Sequence, residues 1–326
     1  MENKKLIVST SPHLKGYDTT QRIMLDVLIA LSPAAVASVV LYGLRALLLI
    51  AVSVIVAVGS ELLFCVATGK DWTITDLSAA VTGLILALSL PTTVTVWQMA
   101  VGAVFAVVVV KCLFGGLGCN FANPAATARV MLIVSFSASV AGGTAGNFAE
   151  LTAGATPLAA IKGAVGGKLP SLLEMLLGVR GGAIGEGCAI AILIGFVYLV
   201  VRRVIKWQVP LTFFATVFLI SLIKFGISDG LADGAVLALY QLLGGGALFA
   251  GVFMITDYVT TPLNTLGKVV FAFGCGLVTC LIRFFGNYPE GASYAILFMN
   301  ILSPYIEKWC AKRPFGAAVP NKKGGV

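Results

Sequence analysis

IMLDVLIALSPAAVASVVLYGLRALLLIAVSVIVAVGSELLFCVA, residues 23–67, carries only three charged side chains, Asp26, Arg45 and Glu61. A helix that crosses a bilayer needs about 20 mostly apolar residues, and this stretch holds two such runs, 23–42 and 46–67. The same texture runs through the whole chain. Of its 326 residues, 59% are hydrophobic and 11% charged, and the mean hydropathy is +1.00. A water-soluble globule has no use for so many apolar positions, so the sequence predicts an all-α polytopic membrane protein.

Apolar runs bounded by Gly, Pro or charge can be counted outward from that pair. Ten are present, at 23–42, 46–67, 77–90, 94–114, 123–136, 188–201, 209–225, 236–255, 269–285 and 292–304. They divide the chain into a polar start (1–22), a first five-helix unit (23–136), a Gly- and Thr-rich loop (137–187), a second five-helix unit (188–304) and a tail (305–326). Lys and Arg accumulate on the cytoplasmic side of membrane proteins. With ten spans and the N-terminus inside, 15 of the 22 basic residues fall inside, 6 fall outside and Arg129 stays within a span. The expected orientation is therefore N-in and C-in, with 137–187 outside. The formal charge of +8 belongs to this asymmetry, and no nucleic-acid partner is expected. Polar residues precede the first run without a small-residue cleavage pattern, so the start is not read as a signal peptide.

The two units repeat. Pro91 falls on Pro262, Phe114 on Phe285 and Gly115 on Gly286, each 171 residues apart, and FGGLGCNFANPAATA (114–128) answers FFGNYPEGASYA (284–295). An odd number of spans per unit forces opposite orientations, so two five-helix units imply an inverted repeat, an architecture of transporters and channels. In that architecture a pair of short or broken spans points to the site. The runs 123–136 and 292–304 are such a pair, and Asn123 and Glu290 stand at their openings. Arg129 lies near the middle of a run and Asp257 at the end of another. Charge at membrane depth needs a partner or a wet cavity, so both are candidates for an ion or cofactor path. An Arg129–acid pair that only locks helices remains the alternative. Glu61 and Glu290 are expected near the interface and hydrated. His13, the only histidine, is expected on the surface. Seven cysteines without a CxxC pair suggest neither a disulfide framework nor a zinc site. Cys112 and Cys119 flank a glycine-rich turn and read as packing residues.

Within the outer loop, Glu150-Leu-Thr-Ala-Gly-Ala-Thr156-Pro-Leu resembles the flavin-attachment motif, usually Ser/Thr-Gly-Ala-Thr, of the RnfD and NqrB membrane subunits of ion-pumping redox complexes. Ala153 stands where that family usually has Ser or Thr. The resemblance extends in order along the chain through Ser11-Pro12-His13, GGLGCNFANPA (115–125), TAGATPL (152–158), TDYVTTP (256–262) and NYPEGASYAILFMN (287–300). RnfD is the closer match, because NqrB usually carries a longer N-terminal extension.

The resemblance implies FMN bound to Thr156 through a phosphoester, with Gly154 and Ala155 leaving room for it and for a flavin transferase. It implies a subunit of an Rnf-type ferredoxin:NAD oxidoreductase in a bacterial or archaeal cytoplasmic membrane, relaying electrons and helping to translocate Na⁺ or H⁺ beside the other Rnf subunits. The likeness to NqrB leaves room for a second, non-covalent flavin, for which no motif is visible. The chain has neither iron–sulfur cysteine spacing nor a dinucleotide fingerprint, so ferredoxin and NAD fall to partner subunits. The competing readings are an inverted-repeat channel or secondary transporter, an NqrB-like subunit of a quinone reductase, and a scaffold with a vestigial motif.

Overall fold

The computed structural model describes residues 19–70, 72–140, 158, 161, 170–178, 181–286 and 290–311. Every regular element among them is helical. The main helices are α1 (Thr20–Tyr42), α2 (Leu44–Thr68), α3 (Ser78–Ser89), α4 (Val96–Val104, continued by Phe105–Cys112), α5 (Pro124–Ser135) and α6 (Ala189–Val201). They are followed by α7 (Gln208–Asp229), α8 (Leu231–Leu243), α9 (Ala247–Phe249, continued by Ala250–Met254), α10 (Thr265–Phe285) and α11 (Ala292–Cys310).

Local chemistry sets the ends. The Thr19 hydroxyl accepts from Arg22 N and opens α1. Gly43, at φ +73°, turns the chain into α2, which closes on left-handed Gly69, a conformation costly for any residue with a Cβ. The second half of α4 and of α9 is π-helical: Leu113 N reaches Val108 O at 3.0 Å, and Ile255 N reaches Ala250 O at 2.9 Å. Such widened turns recur where a helix serves a function.

Four helices, α1, α2, α7 and α10, are long and apolar enough to cross a membrane, and α8 with α9 makes a fifth candidate bent by 62°. The remaining apolar helices α3, α4, α5 and α6 are shorter. Two expected runs are corrected. The run 236–255 is not one continuous helix, because Gly244–Gly246 breaks it, with Gly245 and Gly246 at φ +59° and +66°. The run expected to end at 304 continues to Cys310 through Pro304. An interior proline removes one backbone donor, a loss that membrane helices absorb through neighbouring groups, as α1 does at Pro33.

The core is built on close backbone approach. α6 meets α1 at Gly195, where a Cβ would lie 2.3 Å from Ala30 O. α3 lies in the groove of α2, with Ser53 Oγ donating to Gly83 O at 2.7 Å. Nearly every side chain of α3 is buried, as expected of a helix that is apolar all round. α3 and α9 are both short and buried, and a neighbouring helix ends beside the start of each in a buried base: Lys111 of α4 at the start of α3 and Arg283 of α10 at the turn before α9.

Candidate functional site

The turn before α9 gathers charge from four segments. Arg129, on α5, donates to Ser293 Oγ at 3.3 Å, pairs with Glu290 and lies 3.7 Å from Glu186 Oε1. Arg283, at the end of α10, donates to Gly244 O at 3.2 Å, to Gly245 O at 3.0 Å and to the Gln241 backbone carbonyl. Both guanidinium groups are buried, and among the described residues both Nε atoms lack a hydrogen-bond partner. The turn fits between them only because it has no side chains. A Cβ on Gly246 would stand 2.3 Å from Glu186 Oε1, and one on Gly245 would stand 2.9 Å from Arg283 Nη2. Two arginines and two glutamates close to neutral as a set, which is how charge survives out of water.

A second cluster lies where α5 begins and α9 ends. Asn123 Oδ1 accepts from Ala126 N at 3.1 Å and caps α5, with Pro124 in the first turn where its missing N–H costs nothing. Its Nδ2 donates to Met254 O at 3.2 Å, tying the start of α5 to the end of α9. Beside this joint is a cavity of about 90 Å³ lined by Asn120, Asn123, Thr82, Thr256 and Asp257, with Phe253 and Leu199 among its apolar walls. A water needs roughly 10–15 Å³, so the space suits several waters or a small ion, and it is far below the about 300 Å³ at which ligand pockets begin. Asp257 accepts from Val259 N at 3.1 Å and from Thr260 Oγ1 at 3.2 Å. No group of three or more His, Cys, Asp or Glu able to hold a metal is found among the described residues.

The structure thus brings Arg129 and Glu290 together and, separately, Asn123 and Asp257. Arg129 and Asp257, both expected along an ion or cofactor path, fall in two separate clusters, because α5 presents its cap to one and its second turn to the other. The expectation of hydrated glutamates also fails. Glu61 is 1% exposed, 2.7 Å from equally buried Lys111, and accepts from Thr73 Oγ1 at 2.8 Å; Glu290 is mostly buried in its ion pair. Sequence reasoning missed Lys111 and Arg283, which stand near the ends of apolar runs, and Glu186, which stands in the loop before α6. Gly154, Ala155 and Thr156 lie outside the described residues, as does His13. Leu158, two residues beyond Thr156, is 2% exposed and seats on Gly244 and Gly245.

Comparison with known proteins decides the ancestry: a model of the NQR2, RnfD, RnfE family matches residues 7–316. The chain belongs to that family. Over 325 residues it is 39% identical to the D subunit of the Na⁺-translocating ferredoxin:NAD⁺ oxidoreductase complex of Acetobacterium woodii, covering 99% of both chains. Over 324 residues it is 36% identical to the D subunit of the proton-translocating ferredoxin:NAD⁺ oxidoreductase complex of Clostridium ljungdahlii, covering 95% of this chain and 96% of that one. The D subunit of the ion-translocating oxidoreductase complex of Halorhodospira halophila is 33% identical over 339 residues, 94% of each chain. In this member of the NQR2, RnfD, RnfE family, the charged turn, the small cavity and the Lys111–Glu61 pair each hold polar chemistry between helices.

Proposed function

We propose that this chain is the D-type membrane subunit of an Rnf-like ferredoxin:NAD⁺ oxidoreductase, that it carries FMN on Thr156 through a phosphoester, and that it helps move Na⁺ or H⁺ across the membrane. The observation that carries this reading is similarity from end to end, 39% identity across 99% of both chains. Its partners are the other Rnf subunits and a flavin transferase, and its place is the cytoplasmic membrane.

The ten helical crossings, in two inverted five-helix units with both termini inside, are part of the proposal. Contacts between distant segments support it, because they join ends that this scheme puts on one side. Asp26 and Arg202, 3.1 Å apart, both fall inside, as do Lys206 and Thr265 at 2.7 Å. Arg45 and Thr92, at 2.7 Å, both fall outside, as do Thr93 and Ser139 at 2.6 Å. The buried bases Lys111 and Arg283, 172 residues apart, stand one residue off the 171-residue offset of the repeat.

FMN, when bound, supplies one- and two-electron chemistry. Two residues of chain span about 7 Å at most, so the Leu158 anchor tethers a group on Thr156 close to the turn flanked by Arg283 and Glu290. For the ion, the cavity offers what a hard cation or a proton needs, a carboxylate with amide and hydroxyl oxygens around it. Asp257, Asn120 and Thr256 are the residues that hold an ion there, and Asn123 keeps the cavity wall in register with α9.

Thr156→Val keeps the side-chain shape and removes the nucleophile. In cells that also express a flavin transferase, the wild-type chain is expected to fluoresce on a denaturing gel under ultraviolet light and the valine variant to stay dark at equal abundance. Mass spectrometry across residues 150–162 locates the modification. Fluorescence that survives in the variant would move the flavin elsewhere. A dark wild-type chain would remove the flavoprotein reading.

A further inference from the structure

Between the starts of α7 and α10 and the end of α11 lies a groove of about 780 Å³, whose lining includes Lys206, Trp207, Leu211, Leu263, Thr265 and Cys310. Its rim is cationic. Lys206 Nζ donates to Thr265 Oγ1 at 2.7 Å, and Lys268 follows Thr265 by one turn on the same face of α10, beside the groove, so that the two lysines stand together there. Among the described residues no carboxylate lines the groove. Two like charges held together without a counter-charge from the chain are relieved by an anion. Its walls, by contrast, are apolar and open: Trp207 is 54% exposed, Leu211 45%, Leu263 76% and Leu266 63%.

The order of these features identifies the occupant. α7 and α10 are both long and apolar enough to span a bilayer, so a groove between their first turns lies where they leave the hydrocarbon. Tryptophan at that level is an interfacial anchor. A soluble anion would satisfy the lysines and leave the walls wet, whereas a zwitterionic lipid would cover the walls and leave the lysine pair uncompensated. We infer that the groove holds an anionic glycerophospholipid, its phosphate on Lys206 and Lys268 and its acyl chains along Leu211 and Val269. This inference rests on the membrane reading and is independent of the flavin.

Trp207 provides the probe. The full chain is placed in vesicles containing, at equal mole fraction, either phosphatidylglycerol or phosphatidylcholine with brominated acyl chains, which quench tryptophan on contact. Each lysine near a membrane surface favours an anionic headgroup, and together they should give about a thirtyfold preference for phosphatidylglycerol. That excess quenching is expected to vanish in Trp207→Phe and in the Lys206→Gln/Lys268→Gln pair, and to persist in Lys206→Arg/Lys268→Arg. Equal quenching by both lipids, or an excess that survives the glutamine pair, overturns the inference. Displacement of the excess by soluble glycerol phosphate would show a free-anion site instead and overturn it as well.

Discussion

At the scale of single residues, buried charge is the dominant fact. Lys111 and Glu61 are each 1% exposed, Ser78 Oγ shares the ammonium at 2.5 Å, and Glu61 Oε2 has no partner among the described residues. Removing one member of such a pair strands the other in a medium that cannot solvate it, at a cost of about 3–5 kcal/mol, whereas replacing both with uncharged groups is often nearly neutral. Lys111→Met is therefore expected to lower the melting temperature of the purified protein sharply, and Lys111→Met/Glu61→Gln to recover most of the loss. Thermal unfolding in one detergent decides it; a double variant no better than the single would mean that the charges do not act as a pair. The sequence gives no warning of this pair, since Glu61 and Lys111 stand near the ends of apolar runs, where a side chain can as easily snorkel to water. What buries them is the packing of α4 on α2 with the start of α3 beside the pair, a tertiary event that no local pattern encodes.

Among the elements, the break between α8 and α9 is the device on which the charged turn depends. Gly245 has φ +59°, and a Cβ there would come within 2.2 Å of Leu158 Cδ1. Gly245→Ala therefore adds a clash to a backbone strain of about 1–2 kcal/mol. Gly116 is the control, at φ +92° with nothing within 4 Å of an added Cβ, so Gly116→Ala carries strain alone. The expected outcome is a larger drop in thermal stability for Gly245→Ala, together with faster protease cleavage between residues 150 and 170, which Gly116→Ala should leave unchanged. Equal behaviour of the two variants would mean that Leu158 is no anchor. The existence and kind of most helices was legible beforehand, because apolar runs with Gly or Pro boundaries report burial directly. So was Asn123-Pro124 as a helix start, since cap chemistry is local. The break inside 236–255 and the continuation past Pro304 were not, because glycine and proline weaken a helix without ending it and the packing around them decides. The same limit split the expected site in two: Arg129 and Asp257 were each recognisable as charges at depth, but which helix start each one meets depends on how the units dock.

For the whole molecule, the alternation of sides carries the argument, and two cysteines can test it. A chain with ten crossings and an inside N-terminus puts the turn between α4 and α5 in the cytoplasm and the segment 137–187 outside. Cys119 sits in that inner turn and is exposed, while Cys65, Cys112, Cys275 and Cys280 are buried. A thiol introduced by Val165→Cys belongs to the outer segment. In intact cells a membrane-impermeant maleimide is expected to label the Val165→Cys protein and to spare the wild type, with Cys119 reacting only after lysis. One protein thus reports both faces, and a leaky membrane betrays itself through Cys119. The result also reaches the short helices before residue 137. Only α1, α2, α7 and α10 span by length and composition alone, so the ten-crossing scheme requires the shorter helices, and the bent pair, to complete their crossings through irregular chain. If any one of the short helices preceding residue 137 failed to cross, residue 165 would change sides. Labelling at 165 on intact cells, with Cys119 silent, therefore requires α5 to carry the chain through the membrane, and with the N-terminus inside it requires α3 and α4 to cross together or not at all.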